Sequence, residues 1–137
     1  MKDAPGFRAL GAGLIVAALL LPCQASAFDL NGAWASDRML CDKVFVKKGG
    51  TVQFAELSDL YGSGFIVNGN AIRGKAGKCT IKSRRQDGDK TMLSASCAST
   101  IMTSELQFNY KVVDDNTLTR DIPDIKDMTL TYSRCPM

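Results

Sequence analysis

The chain contains no histidine. The commonest general base, the usual physiological pH switch and the favoured transition-metal ligand are therefore missing together. The five-residue pattern G-x-S-x-G is also absent. Gly62-Ser63-Gly64 has only a fragment of it, and no imidazole exists to activate that serine. No two cysteines after residue 27 lie within four residues of each other, so the spacing of a structural zinc site is not met. There is no apolar run of the roughly 20 residues that a permanent membrane helix needs. Nor is there a large excess of either charge: the formal net charge is +3. These absences weigh against most enzyme classes, and with them against nucleic-acid binding and stable membrane insertion; no cofactor is implied.

What is present begins with a leader. Lys2 and Arg8 precede an apolar stretch from Leu10 to Leu21, and Ala25-Ser26-Ala27 supplies a small-x-small cleavage pattern. Residues 1–27 read as a secretory signal peptide, with Phe28 as the first mature residue. Pro22 interrupts the apolar stretch, which argues against an uncleaved anchor. Pro22 also precedes Cys23, where a lipoprotein signal would carry a small residue. A periplasmic or secreted location follows, and it changes how the remaining cysteines are read. Cys41, Cys79, Cys97 and Cys135 form an even set in a short exported domain, which predicts two disulfides.

Residues 28–137 are long enough for one domain with one core. Short alternating stretches dominate. Lys43 to Lys48 is strand-like, Gly49-Gly50 turns it, and Thr51 to Phe54 follows. Leu57, Leu60 and Tyr61 fit one face of a single helical turn stopped by Gly62. Phe65-Ile66-Val67 meets Asn68-Gly69, a strong hairpin signal, before Ala71-Ile72-Arg73. Cys79 to Gln86 and Lys90 to Ala98 form a second hairpin. A turn centred on Gly88 places Cys79 opposite Cys97, Ile81 opposite Ala95 and Ser83 opposite Leu93, all on one face. That register predicts a Cys79–Cys97 bridge and leaves Cys41–Cys135 to join the two ends of the domain. Leu106, Phe108, Tyr110 and Val112 alternate with polar residues in the next strand. Leu118, Arg120 and Ile122 share a face after it, and Met128, Leu130 and Tyr132 mark the last strand. The fold class predicted is all-β: a small antiparallel up-and-down barrel of about eight strands with at most one short helical turn. Such a barrel is either filled by side chains or holds one small ligand. The aromatics Trp34, Phe45, Phe54, Phe65, Phe108, Tyr110 and Tyr132 fit a packed core or a ligand-lining wall.

The conspicuous surface feature is basic. Arg73, Lys75, Lys78, Lys82, Arg84 and Arg85 fall in a stretch, residues 60–86, with no acidic residue. They read either as a solvated hairpin face or as a docking surface for an anionic partner. Asp114, Asp115, Asp121, Asp124 and Asp127 gather near the other end of the chain. Their spacing lacks the glycine and distal glutamate of a calcium loop, so they read as turn and strand-end residues, and no metal site is expected.

Phe28-Asp29-Leu30-Asn31-Gly32-Ala33-Trp34, followed by Cys41, resembles the start of lipocalin-type barrels and of the bacterial periplasmic alkaline protease inhibitors. The Gly-x-Trp of Gly32-Ala33-Trp34 carries the resemblance, over roughly a dozen residues. The inhibitor family typically carries one disulfide and places a longer segment before its Gly-x-Trp, and true lipocalins are longer chains. The resemblance implies a barrel-like fold and transfers no binding residues. The function expected is a non-enzymatic, exported cell-envelope binding protein. Its outer surface would recognise a protein or an anionic envelope polymer, an inhibitor-like role being one form of this. The alternative is a lipocalin-like carrier of a small apolar ligand inside the barrel.

Overall fold

The computed structural model describes residues 27–122 and 124–137. The signal peptide expected over residues 1–27 lies outside them, apart from its last residue. Eight antiparallel strands close into a barrel: β1 (Gly32–Ala35), β4 (Gly64–Asn68), β5 (Ala71–Arg73), β6 (Gly77–Asp87), β7 (Lys90–Ser99), β8 (Thr103–Asp114), β9 (Thr117–Asp121) and β10 (Thr129–Cys135). From β4 to β10 each strand pairs with its neighbour in the chain, and β1 closes the circle between β10 and β4. Closure gives each of these eight strands a partner on both sides over at least part of its length, which limits the free edge that is the usual hazard of a small β-protein.

The remaining two strands, β2 (Phe45–Lys48) and β3 (Thr51–Phe54), form a hairpin outside the barrel. It follows a 3-10 turn (Arg38–Leu40) and the one-turn helix α1 (Cys41–Val44). The alternation expected from Lys43 therefore starts two residues later, at Phe45. This layer gives the molecule two cores. Inside the barrel, Leu30, Trp34, Val67, Ile72, Ile81, Leu93, Tyr110, Leu118 and Tyr132 pack together. On the outer wall, Val44 and Phe45 cover Ala33, Ala35 and Ile66. Strand β1 is consequently buried on both faces. Its alternation of small and large residues suits that position: alanines outward, where α1 approaches, and tryptophan inward. Gly64 serves the same close approach, because a Cβ there would lie 2.7 Å from the Trp34 carbonyl oxygen and 2.8 Å from the Phe45 ring.

Two disulfides form, Cys41–Cys135 and Cys79–Cys97, as the hairpin register requires. The first pins α1 to the end of β10; the second crosses from β6 to β7. The hairpin differs from its expected register in one respect. Cys79 faces Cys97 and Ile81 faces Ala95, but a bulge at Lys82 then shifts the pairing. Ser83 faces Ser94, and it is Arg84, not Ser83, that faces Leu93. The cause is the turn, which is two residues long, Gly88–Asp89, with Asp87 pairing Lys90 and Gly88 at φ +61°. A two-residue turn and the Cys79–Cys97 pairing differ by one residue of register, and the bulge absorbs it. The helical turn expected near residue 60 is present as a 3-10 turn, Ser58–Tyr61. Leu57, Leu60 and Tyr61 are exposed there and Ser58 is buried.

One end of the barrel is closed. Trp34 is fully buried there and donates from Nε1 to the Leu30 carbonyl at 2.9 Å. Its ring stacks on Phe65, and the Arg134 guanidinium lies 4.3 Å from its centroid on strand β10. The same guanidinium donates to the backbone carbonyls of Asn31, Asp29 (2.6 Å) and Asp115 (3.1 Å). Arg134 thus ties the segment before β1 to the β8–β9 turn and lays it across the barrel end. At this end Lys111 also meets Asp89 at 3.1 Å, and that bond holds the Asp89 carboxyl below the usual carboxylate range.

Candidate functional site

The opposite end is open. A cavity of about 420 Å³ enters the barrel between the β5–β6 and β7–β8 turns, where Gly74, Ala76, Gly77, Ser99 and Met102 form its rim. Its walls are residues of the seven strands β4 to β10, including Phe65, Ile72, Leu93, Leu106, Phe108 and Leu118. That volume lies within the range of small-molecule sites. Unequal strand lengths account for the opening. Strand β9 has five residues against twelve in β8, so β8 pairs with β9 only from Tyr110 onward. Before that point β8 is paired on the β7 side alone. Leu106 therefore lies at an inward position yet remains 44 % exposed, on the cavity wall. Met102 and Ile101, at the β7–β8 turn beside the mouth, are more exposed still.

The Cys79–Cys97 bridge forms part of the cavity wall. Tyr110 and Tyr132 also line it, with the Tyr132 ring edge-on to Phe65 at 5.0 Å. Two charged residues, both cationic, contribute to the lining: Lys78 near the mouth and Arg120 on β9. The Arg120 guanidinium lies 4.8 Å from the centre of the Phe108 ring, and its Nε is buried without a hydrogen-bond partner. Alternation along β9 places Arg120 inward because Leu118, two residues before it, is inward. That signal was legible in the sequence as a cation on an apolar face.

The six basic residues singled out from the sequence are not brought together as one patch. Arg73 donates to the Val52 carbonyl at 2.8 Å and Lys75 to the Ala55 carbonyl at 3.0 Å, so both serve to hold the outer hairpin layer. Lys78 starts β6, near the cavity mouth. Arg85 sits near the other end of the same strand, seven residues on, or roughly 23 Å along an extended chain. Arg84 donates to the Gly69 carbonyl at 2.9 Å, at the closed end. Lys82 occupies the bulge and is exposed. Extended backbone separates what a linear sequence places side by side.

The aspartates near the C-terminus fall at turns and strand ends. Asp114 Oδ1 accepts from the Asn116 amide at 2.8 Å, and Asp121 Oδ1 accepts from the Thr129 hydroxyl at 3.1 Å. Among the described residues no group of three or more acidic or cysteine side chains is placed to hold a metal ion. Nor, among those residues, is any helix long and apolar enough to cross a membrane. The two disulfides fit an oxidising, extracytoplasmic setting. No protein-family model matches this chain, and neither the curated proteins nor the solved structures give a match.

Proposed function

We propose that this protein is an exported, non-enzymatic carrier that takes a small apolar ligand into the barrel interior. The observation that carries this reading is the open, largely apolar cavity in an eight-stranded barrel closed at its other end. A barrel of this strand number has room for packed side chains or for one small ligand. Here the far end is packed and the near end is hollow. Three of the six basic residues that would have formed an outer docking face instead bond backbone carbonyls of this chain. That is why the interior is favoured over recognition of a protein or anionic envelope polymer through the outer surface. The leader-like residues 1–27 and the two disulfides support a periplasmic or secreted location.

The test is a titration of the oxidised protein with the neutral, apolar fluorophore N-phenyl-1-naphthylamine. Saturable enhancement at one site per chain is expected. Ser104, inward on β8 and on the cavity wall, gives the control. Ser104→Trp fills the space, so the fluorophore affinity should fall at least tenfold while the thermal midpoint stays within a few degrees. No saturable signal from the parent protein would sink the carrier reading and return attention to the exposed Lys82 and Arg85.

A further inference from the structure

Arg120 is the feature of the cavity that packing alone does not account for. A guanidinium presents five donors and cannot shed its charge in a protein. Arg120 is half-buried, and shielding part of a guanidinium among apolar walls is costly unless the shielded donors are paired. The Phe108 ring offsets part of that cost through its π face, 4.8 Å away. It satisfies none of the donors in the guanidinium plane, and Nε is left buried and unpartnered. Carboxylates are plentiful nearby in the chain but are directed elsewhere. Asp121, the next residue, accepts from Thr129, and Asp114 caps its own turn. Among the described residues the ion pair present is Lys111–Asp89, at the closed end, and no carboxylate lines the cavity.

We propose that Arg120 is the headgroup site of the cavity, and that the ligand is an amphipathic monoanion: a carboxylate or sulfonate on an apolar chain. This inference rests on the carrier reading and specifies the ligand's chemistry. The planar fork of the guanidinium suits a bidentate carboxylate. The apolar chain of the ligand lies against Leu93, Ile72 and Phe65 across the cavity.

The experiment compares laurate with dodecanol, which share an alkyl chain and differ in headgroup charge, by competition against N-phenyl-1-naphthylamine. The parent protein should bind laurate tenfold to a hundredfold more tightly than dodecanol. Arg120→Met should abolish that preference by weakening laurate alone, with dodecanol within about threefold of its parent value. The variant should melt no lower than the parent, because a half-buried guanidinium whose Nε has no partner has been replaced by an apolar chain. Arg85→Met, outside the cavity, should keep the full preference. Equal affinities for laurate and dodecanol in the parent protein would overturn the anion inference while leaving the carrier reading standing. Failure of both to compete would overturn the carrier reading and this inference with it. The parent comparison decides the matter even if Arg120→Met does not fold.

Discussion

Replacing Trp34 by alanine is expected to cost about 3–5 kcal/mol of folding stability, the largest loss for any single residue of this chain. Trp34 is fully buried and is the only tryptophan. Its removal would open a void at the closed end and take away the stacking surface of Phe65. The Leu30 carbonyl would lose its indole donor. Arg134 would lose the ring beneath its guanidinium while still reaching for the carbonyls of Asp29, Asn31 and Asp115. Trp34→Phe keeps an aromatic face and removes the N–H donor, so a smaller cost of about 1–2 kcal/mol is expected. Equilibrium unfolding in urea, followed by far-ultraviolet circular dichroism because the fluorescent reporter is gone, checks both values. An alanine variant within 1 kcal/mol of the parent would mean that the closed end does not hold the barrel together.

The second large effect concerns the disulfides, and here the order matters more than the size. Cys41–Cys135 closes a loop of 94 residues and Cys79–Cys97 one of 18. Restricting the unfolded chain should contribute about 4–5 kcal/mol in the first case and about 3 kcal/mol in the second. Local structure widens the gap. Cys79 and Cys97 are already held opposite each other by the β6–β7 ladder, whereas Cys41 belongs to a one-turn helix with little stability of its own. Without the bridge, α1 is held to the barrel wall by the packing of Val44 and Phe45, and the β2–β3 hairpin by that packing and the Arg73 and Lys75 hydrogen bonds. The Cys41→Ala/Cys135→Ala double variant should therefore unfold at lower denaturant than Cys79→Ala/Cys97→Ala. It should also show faster amide exchange across residues 38–54. The reverse order of midpoints would contradict this account of the outer layer.

The barrel was legible because its strands are half-buried, and a half-buried strand writes its orientation into alternate residues. Leu106, Phe108 and Tyr110 are read correctly on that basis, as is the Cys79–Cys97 pair. The bulge at Lys82 was not legible, since Thr80 to Arg85 is polar almost throughout and a register slip there moves little apolar surface to or from water. The outer hairpin misleads for the opposite reason. Strand β1 is buried on both faces, and Phe45 and Phe54 alternate as inward barrel residues would. Leu57, Leu60 and Tyr61 have helical spacing but face water, so spacing identified the turn without identifying its buried side. The basic residues illustrate a limit of linear clustering. An extended strand carries neighbours apart by about 3.3 Å per residue, so a run that would crowd a helix face spans a whole barrel wall. For the cavity, the informative residue was Arg120, a cation whose parity matched Leu118. The shortness of β9, which opens the wall beside it, follows from pairing and could not be read from composition.

The central claim is that the hollow end of the barrel is occupied by a ligand when the protein works. Native mass spectrometry of the protein isolated gently from its own cells tests this most directly. A discrete adduct of small mass is expected, lost on denaturation and recovered from the organic extract as an apolar anion. A bare polypeptide mass with both disulfides intact, from material that then fails to bind N-phenyl-1-naphthylamine, would contradict the account.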